Sequence, residues 1–470
     1  MSSVSHFFDW IKSSFAANAS DAFTAVTNPL EQYKLTRQVP SHTPLCLAPY
    51  TSISFSIDGY ATVCCLNRKT TVSVVDQTID QIWTSPEFER LRHEIKNNNL
   101  GYDCAICKHQ IEAGDYEGVK ARSSDNYLSD NYSRPVFMEF CLDNTCNLAC
   151  VMCNSLLSSS IRKNEKLPPL KKFYDDSFVE QLIPYIPHLK EVVFSGGEPF
   201  LTPLYFKMWE KMIALNPKLI IGVVTNGSTL NQRIKDLLQR GKFKINISID
   251  SVDKQTYEAV RCNASFDHLM DNFKWFVQYG RENDQRVNIP VCPLTNNWRG
   301  IPELVRFANT HDVSINFVHV DRPFTLALSR ASYTLLDEII VYYQAQFFED
   351  VSHSSKVNIR RFEGLIGDLK NWREANSIEN NLQQTYDALQ KLVDNIKSSE
   401  LIPESSTHTD SKSAMIDKVN AVIELSEITP LQRAKLLSVF NSYSIERLHD
   451  FMSSKSKSEV VGFFKEYIGK

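Results

Sequence analysis

Six short strand-like segments alternate with amphipathic, helix-like segments between residues 136 and 320, and this alternation constrains the fold more than any other feature. Strands that are separated by helical patterns indicate βαβ units and a parallel sheet. The predicted strands are Val136–Leu142, Lys190–Ser195, Leu219–Thr225, Lys244–Asp250, Arg286–Cys292 and Ser314–Val320. The helical patterns include Leu230–Arg240 and Phe266–Gly280. The centre of the chain is therefore predicted to be an α/β domain.

Three cysteines follow the first predicted strand directly, in the run Cys-Asn-Leu-Ala-Cys-Val-Met-Cys. Cys146, Cys150 and Cys153 have the spacing C-x3-C-x2-C, and three thiolates cannot complete the four-cysteine shell of a [4Fe–4S] cluster. One iron would stay open for chemistry. Taken alone, the triplet also fits a zinc site with a distant fourth ligand, or three buried thiols.

Glycine-containing turns end the next two strands, at the sheet edge where the active sites of β/α barrels gather. The second strand ends in Ser195-Gly196-Gly197-Glu198-Pro199, and the third ends in Thr225-Asn226-Gly227. Paired glycines permit unusual backbone angles and the close approach of a ligand, and the glutamate supplies a carboxylate. Each of these motifs, taken alone, also fits an ordinary turn.

Together these motifs resemble the signature of the radical S-adenosylmethionine (radical SAM) enzymes. The resemblance implies a partial (β/α)6 barrel over residues 133–325. It also implies that the cysteine triplet binds a [4Fe–4S] cluster, whose open iron is chelated by the amino and carboxylate groups of S-adenosylmethionine. In that family, reductive cleavage of this cofactor gives a 5′-deoxyadenosyl radical, which abstracts a hydrogen atom from a substrate.

The resemblance further implies which residues contact the cofactor. Glu198 would hold its amino group, and polar residues of the fourth strand, which point into the barrel, would contact its ribose and methionyl part. Met152 stands where the family usually has an aromatic residue, and its sulfur can pack against an adenine face. Arg261 resembles an arginine near the methionyl carboxylate, although a solvent-facing helix arginine is the alternative. The implied cofactor-binding residues are Met152, Gly196, Gly197, Glu198, Asn226, Ser248, Asp250 and Arg261.

A second set of cysteines lies upstream of the barrel. Cys46 and Cys64 belong to the pattern C-x12-G-x4-C, and Cys104 and Cys107 follow as C-x2-C. This set resembles the SPASM or shorter twitch module, and implies an auxiliary [4Fe–4S] cluster with no open iron. The module usually follows the barrel. Cys65 is adjacent to Cys64, but the G-x4-C spacing favours Cys64, and a four-cysteine zinc knuckle also fits the spacing.

The length of 470 residues predicts more than one domain. Helices are predicted within residues 1–15, over 79–97, over Tyr333–Phe348 and over 382–396. The predicted organisation is an N-terminal helical segment (1–43), a SPASM- or twitch-like cluster module (44–132), the radical SAM partial barrel (133–325), a helical extension (326–400), a linker (401–414) and a small helical C-terminal region (415–470).

Composition limits the partners and the compartment. The net charge of −4 gives no general attraction to nucleic acid, so nucleic acid is an unlikely partner. No apolar stretch reaches the length of a membrane span, and the N-terminus lacks the features of a secretory signal. The eleven cysteines are clustered in motifs rather than spread as a disulfide framework. A reducing, cytoplasmic location is therefore expected.

The function predicted from these features is oxidative modification of a peptide or protein side chain, with the auxiliary cluster assisting. A six-stranded barrel is open along one side and can admit an extended chain. The reaction would need an external electron donor such as flavodoxin or ferredoxin. The alternatives are a twitch-type oxidoreductase of sugars or small metabolites, and an inactive iron–sulfur scaffold or redox protein.

Overall fold

The computed structural model describes residues 28–67, 70–101, 104–112, 114–116, 118–129 and 132–376, with a few positions between 415 and 460. The helices predicted within 1–15 and 382–396, and the linker at 401–414, lie outside the described residues. The chain divides into two compact units, one formed by Met1–Ile249 with Arg261–Ile289 and the other by Asp250–Val260 with Pro290–Lys470. Within the described residues, no helix combines the length and the apolar character needed to cross a membrane.

Nine strands form the β-structure of the described residues. They are β1 (Ser52–Phe55), β2 (Tyr60–Thr62), β3 (Val72–Ser73), β4 (Phe137–Cys141), β5 (Glu191–Ser195), β6 (Ile220–Thr225), β7 (Lys242–Ile247), β8 (Val287–Val291) and β9 (Ser314–Phe317). In the first unit the order is β3-β2-β1-β4-β5-β6-β7-β8. The end of β8 continues into the second unit, where Val318 N donates to Val291 O at 2.7 Å beside β9.

The helices of the described residues fill most of the segments between the strands. They are α1 (Pro29–Thr36), α2 (Ala48–Thr51), α3 (Ile79–Trp83), α4 (Pro86–Lys96), α5 (Ala105–Glu112), α6 (Ser159–Asn164), α7 (Asp176–Leu182), α8 (Pro203–Leu215), α9 (Gln232–Arg240), α10 (Lys254–Val260), α11 (Phe266–Glu282), α12 (Ile301–Thr310), α13 (Tyr333–Gln344) and α14 (His353–Ala375). The predicted α/β fold is confirmed.

All six strands predicted from the sequence are present, with ends that differ by a few residues. The largest difference is in β7, which begins at Lys242 and ends at Ile247 rather than spanning 244–250. Its pairing explains the shift, because β7 runs in parallel register with β6 from Ile220↔Lys242 to Thr225↔Ile247. Pairing with the neighbouring strand therefore decides the ends, and a single-strand pattern does not contain that information.

Three strands upstream of the barrel were not predicted, and they extend the same sheet. β1 pairs in parallel with β4, from Ser52↔Phe137 to Phe55↔Phe140. β2 then pairs antiparallel with β1, and β3 antiparallel with β2. Gly59, with φ of +82°, lies in the turn between β1 and β2, where a residue without Cβ is favoured. The alternation in Ser-Ile-Ser-Phe and the following Asp-Gly turn were the signals for this hairpin.

The single helix predicted over 79–97 is two helices. The first, α3, ends at Trp83, and the second, α4, begins at Pro86. A proline has no backbone N–H and disfavours helical geometry in the residue before it, so a break at this point is expected. Ser85 caps the second helix, because its hydroxyl accepts a hydrogen bond from Phe88 N at 3.3 Å.

The two faces of the sheet differ in chemistry. Phe140 and Phe194 on one face are fully buried and contact aromatic side chains of the covering helices, including Trp209 at 5.3 Å from the Phe194 ring. The opposite, inner face carries partly accessible polar side chains such as Glu139 and Asn246. The apolar face therefore builds the core, and the inner face stays available for binding.

A buried tyrosine joins the two strand ends that precede the main motifs. The Tyr205 hydroxyl accepts a hydrogen bond from Leu142 N at 2.8 Å and donates to Ser195 O at 2.8 Å. Leu142 follows β4 and Ser195 ends β5. The cysteine loop and the Gly-Gly-Glu turn therefore start from fixed positions.

In the second unit, Asn358 of α14 binds the chain around β9. Its side chain accepts from Ile315 N at 2.8 Å and donates to Val313 O at 2.9 Å. The helix predicted over 333–348 is present as α13 and ends at Gln344.

Candidate active site

The loop that follows β4 is held by hydrogen bonds on both sides of Cys146. The Asp143 carboxylate accepts from both the backbone N and the hydroxyl of Thr145 at 2.8 Å, and it pairs with Lys172 at 2.8 Å. The Cys146 backbone N donates to the Ser159 hydroxyl at 3.0 Å. This first cysteine therefore has a defined position before any ligand is bound.

The two glycines at the end of β5 pack directly against this loop. Gly197 N donates to Asp143 O at 3.0 Å, and Glu198 N donates to Thr145 O at 2.7 Å. A Cβ on Gly197 would lie 2.2 Å from Thr145 O, and Gly196 has φ of +108°. The sequence argument attributed these glycines to the close approach of a ligand. The structure adds a second reason, because the close approach of the cysteine loop also requires them.

Glu198 is a fully buried carboxylate that joins the ends of β5 and β6. It accepts hydrogen bonds from Asn226 N at 2.7 Å, Thr225 Oγ1 at 2.8 Å and Phe200 N at 3.1 Å. Burial raises the pKa of Glu198 to about 7, against an ordinary value of 4.5, while the hydrogen bonds and Arg261 act in the opposite direction. The fraction of Glu198 that is ionised near pH 7 therefore depends on these neighbours.

Two cationic or amide side chains reach the sulfurs of the triplet. The Asn226 Nδ2 atom lies 3.9 Å from Cys146 Sγ, and the Arg261 Nη1 atom lies 3.9 Å from Cys150 Sγ. Arg261 also lowers the pKa of Cys153, although burial is the larger influence and raises it. The structure therefore brings the triplet, Asn226 and Arg261 together with the Gly-Gly-Glu turn.

Three other predicted residues lie in different surroundings. Met152 and Ser248 are half-buried, and Ser248 N donates to Thr225 O at 2.9 Å, just beyond β7. Asp250 belongs to the second unit and is fully buried. Its carboxylate accepts from Cys292 N at 2.7 Å, so part of its hydrogen-bonding capacity holds the end of β8.

The auxiliary cysteines lie near the opposite ends of the parallel strands from the cysteine triplet. Cys46 precedes β1 and Cys64 follows β2. Because β1 is parallel to β4 and antiparallel to β2, both cysteines lie toward the N-terminal ends of β1 and β4. The triplet instead follows the C-terminal end of β4. The two cysteine sets are thus separated by the length of the parallel strands.

Contacts distinguish the two adjacent cysteines of the upstream set. Burial raises the pKa of Cys64, and the thiols of Cys46 and Cys65 raise it further. Cys107 likewise adds to the effect of burial on the pKa of Cys46. The Cys65 thiol instead interacts with Glu139 on the inner face of β4, through charge and a hydrogen bond. Cys104 is half-buried at the start of α5. Burial raises the pKa of Cys46 to about 11.

The donor chemistry at both sets fits iron–sulfur clusters. Backbone amides of Leu148 and Asn154 form hydrogen bonds to the thiols of Cys146 and Cys153, and Ala48 N lies 3.4 Å from Cys46 Sγ. Hydrogen bonds of this kind favour the thiolate, the form that binds metal. Within the described residues, no three His, Cys, Asp or Glu side chains converge on the position of a single metal ion.

Family comparisons agree with both sites. The model of the radical SAM superfamily matches residues 142–308, and that of an iron–sulfur cluster-binding domain, SPASM, matches residues 46–108.

The chain contains a radical SAM domain and a SPASM domain. Its radical SAM domain uses a [4Fe–4S] cluster and S-adenosylmethionine, and its SPASM domain carries an auxiliary iron–sulfur cluster. The SPASM domain precedes the radical SAM domain in this chain. The fold class is the partial (β/α)6 barrel with an upstream cluster module that the sequence predicted.

Curated relatives match part of the chain. GTP 3′,8-cyclase of Staphylococcus epidermidis is 23% identical over 203 residues, which cover 41% of this chain and 56% of that relative. GTP 3′,8-cyclase of Streptomyces coelicolor is 26% identical over 204 residues, which cover 42% and 57%. The chain thus spans little more than half the length of these relatives.

Two solved structures with bound S-adenosylmethionine match part of the chain. The anSMEcpe protein with bound AdoMet has a TM-score of 0.35 at 19% identity, over 44% of this chain and 60% of that one. Streptococcus suis SuiB bound to S-adenosylmethionine has a TM-score of 0.34 at 15% identity, over 60% of each chain.

Several residues that support the radical SAM site were missed by the sequence argument. Asp143 orders the cysteine loop, and its position two residues before Thr145 is the pattern of an Asx turn. Asn147 accepts from Asn226 Nδ2 at 3.0 Å, a contact between residues 79 positions apart. Asp143 therefore had a local signal in the sequence, whereas the contact between Asn147 and Asn226 depends on the fold.

Adding a methyl group at Gly197 is expected to destabilise the first unit. In Gly197→Ala the new Cβ would meet the Thr145 carbonyl oxygen at 2.2 Å, and overpacking of this kind costs about 1–3 kcal/mol. The matched control is Gly364→Ala, because Gly364 lies in α14 with no atom within 4 Å of an added Cβ. There alanine should stabilise by up to about 1 kcal/mol. Urea unfolding followed by circular dichroism compares the two, and equal midpoints would contradict this packing argument.

Proposed function

We propose that this protein cleaves S-adenosylmethionine reductively at the Cys146, Cys150 and Cys153 site and oxidises a peptide or protein side chain. The observation that carries the proposal is the position of the two cysteine sets at opposite ends of the same parallel strands. A substrate on the inner face of the sheet would lie between them. It could lose a hydrogen atom at one end and an electron toward the other.

At the radical end, the chain's own residues would position the cofactor. Glu198 has three hydrogen-bond donors in the structure, and a carboxylate offers about four acceptor sites, so one remains for an ammonium group. Arg261 lies close enough to Cys150 and Glu198 to bind a carboxylate beside the cluster. When bound, the cluster and cofactor supply a carbon radical that abstracts hydrogen.

The inner face of the sheet supports a polar substrate that contains both amide and charged groups. Glu191 accepts from the Tyr127 hydroxyl at 2.8 Å and pairs with Lys244 at 3.4 Å. Farther along the face, Asn246 Oδ1 accepts from Asn288 Nδ2 at 3.1 Å. These groups offer donors, acceptors and charges of both signs, which suit a peptide backbone with its side chains.

A nucleotide substrate is the second candidate, because the curated relatives are GTP 3′,8-cyclases. GTP carries several negative charges on its phosphates, and binding it requires an excess of positive charge. On the inner face the carboxylates of Glu139 and Glu191 accompany Lys244, so the charges there are mixed rather than positive in excess. The charge pattern therefore favours a peptide. An inactive scaffold is disfavoured because the triplet, Glu198 and their supporting contacts are all retained.

Reconstituted protein is expected to convert S-adenosylmethionine to 5′-deoxyadenosine under anaerobic, reducing conditions. The Cys146→Ala/Cys150→Ala/Cys153→Ala variant should lose this cleavage, because it removes every thiolate that would hold the first cluster. Cys292→Ala is the matched control, since it removes one thiol outside both sets and keeps the backbone N–H that binds Asp250. Chromatography of the nucleoside product measures both. Cleavage at the wild-type rate by the triple variant would refute the assignment.

The triple variant should retain about half of the wild-type iron, because each [4Fe–4S] cluster is held by its own thiolates. In that background, Cys64→Ala should lose the remaining iron and Cys65→Ala should keep it. The reason is that Cys64 interacts with Cys46, whereas Cys65 interacts with Glu139. Iron and zinc analysis is the measurement. Zinc in place of iron, or iron loss only in Cys65→Ala, would overturn this ligand set.

The product of a peptide substrate is expected to be lighter by two hydrogen atoms. One hydrogen atom leaves to the 5′-deoxyadenosyl radical, and one electron and one proton leave afterwards, which together form a two-electron oxidation. Peptides encoded beside the gene, incubated with reconstituted enzyme and reductant, are analysed by mass spectrometry. Turnover of GTP or a sugar, with no change in any peptide, would refute the peptide proposal while leaving the radical SAM chemistry intact.

A further inference from the structure

A cavity lies between the end of β3 and the start of α7, and none of the cysteines lines it. Its volume is about 270 Å³. Buried side chains form its base, and exposed side chains form its rim. The base consists of Ile79, Ile82 and Phe178. The rim includes Asp76, Gln77, Thr78 and Ser177. The cavity therefore combines an apolar base with a polar rim.

The cavity lies at the same end of the strands as the cysteine triplet. β3 is antiparallel to β2, which is antiparallel to β1, so β3 runs in the same direction as β1 and β4. Val74 and Asp76 follow β3 within three residues, just as the triplet follows β4. β3 is also the terminal strand of the sheet on this side. A chain that enters the inner face past this edge would therefore pass the cavity.

One wall of the cavity is joined to the cysteine loop. The Phe173 ring lines the cavity and packs on Gly59 in the turn between β1 and β2, where an added Cβ would lie 2.6 Å from Phe173 Cδ1. The residue before it, Lys172, pairs with the Asp143 carboxylate at 2.8 Å. Because Asp143 also orders the cysteine loop, this wall of the cavity has a fixed position relative to that loop.

Polar side chains at the cavity keep hydrogen-bonding capacity for a ligand. Within the part of the chain that the structure describes, the side chains of Asp76 and Gln77 have no hydrogen-bond partner. Gln181 accepts from Ile79 N at 3.3 Å through its Oε1 atom, which leaves its Nε2 donors for another group. These side chains offer a carboxylate together with amide donors and acceptors, which can bind a peptide backbone and a cationic side chain.

Carboxylates predominate among the charges around the cavity. They are the carboxylates of Asp58, Asp76 and Asp175. Asp58 lies in the turn on which Phe173 packs, and Asp175 accepts from the Ser177 hydroxyl at 2.6 Å. Among the described residues, none of these three carboxylates has an ion pair. The Lys171 ammonium, 4.8 Å from the centre of the Phe173 ring, offsets one of them. The remaining excess of negative charge favours a cationic ligand.

Size and charge together define the class of ligand. The volume of about 270 Å³ is below the roughly 300 Å³ at which sites for drug-sized molecules begin. A whole nucleotide is too large for it, and the carboxylates would repel its phosphates. One apolar side chain fits the base, and a lysine or arginine beside it would meet the carboxylate at the rim. This pattern is that of a short peptide segment.

We propose that this cavity binds a segment of the peptide substrate that lies outside the residue to be modified. An apolar side chain of the segment occupies the base, and a neighbouring lysine or arginine pairs with Asp76. This inference rests on the proposed function, which makes a peptide the substrate. The segment is held at the edge of the sheet while the reactive residue reaches the inner face. The contact is the same in the ground state and the transition state, so it lowers KM and leaves kcat unchanged.

The test uses the reconstituted full chain and a peptide, encoded beside the gene, that the enzyme modifies. Gln77→Trp fills the cavity from its rim and should raise KM for the peptide about tenfold, with kcat within about twofold, because uniform binding is lost. Asp76→Asn removes one charge and should raise KM about threefold, as for a solvent-exposed ion pair. Asp76 has φ of +59°, a conformation that asparagine also adopts, so this variant keeps the backbone.

Asp284→Asn is the matched control. Asp284 is also exposed and has φ of +49°. It precedes β8, at the opposite end of the parallel strands from the cavity, so its replacement should leave KM unchanged. A second peptide has glutamine in place of each lysine and arginine outside the modified residue. With that peptide, Asp76→Asn should raise KM no further, because the charge that it would lose is already absent.

Each result has a distinct meaning. Unchanged KM in both Gln77→Trp and Asp76→Asn would overturn this inference and leave the proposed function standing. A fall in kcat at constant KM would also overturn it, because the cavity would then act on the chemical step. If Gln77→Trp loses iron or helical signal, the result for Asp76→Asn alone decides. If the wild-type enzyme cleaves S-adenosylmethionine and modifies no peptide, the peptide proposal fails and this inference fails with it.

Discussion

The organisation of the radical SAM site depends on one buried carboxylate. Glu198 receives hydrogen bonds from Phe200, Thr225 and Asn226, which come from the turns after two neighbouring strands. Removing this acceptor would leave buried amide donors unsatisfied, at a cost of about 1–3 kcal/mol for each. Because Glu198 fixes the Asn226 backbone, it also directs the Asn226 side chain toward Cys146. A residue that resembles a cofactor ligand is therefore part of the frame that positions the first cluster thiol.

Much of the fold could be read from the sequence, and the exceptions have physical causes. The six barrel strands were predictable because short strand-like segments alternate with amphipathic, helix-like segments along this part of the chain. Strands β1 to β3 are only two to four residues long, so their sequence signal is limited to the Ser-Ile-Ser-Phe alternation and the Asp-Gly turn. The break before Pro86 could have been read from the Ser-Pro dipeptide, since proline seldom continues a helix.

The features of the site also differ in how far they could be predicted from the sequence. The cysteine spacing could be read directly because all three residues lie within one loop. The contact between Arg261 and Cys150 joins residues 111 positions apart, and only the folded chain brings them together. The crowding at Gly197 was missed for the same reason: it comes from Thr145, 52 positions earlier, and a motif that is read alone contains no information about that neighbour.

The pairing of β1 with β4 has a consequence for biogenesis. During synthesis on the ribosome, residues 52–55 emerge about eighty residues before 137–141, the segment that supplies their parallel partner. Until then β1 is an unpaired edge, which is a place where chains associate wrongly. All four upstream cysteines also emerge before β4, so the segments that carry Cys46 and Cys64 gain this neighbouring strand only after the whole cysteine set has been made.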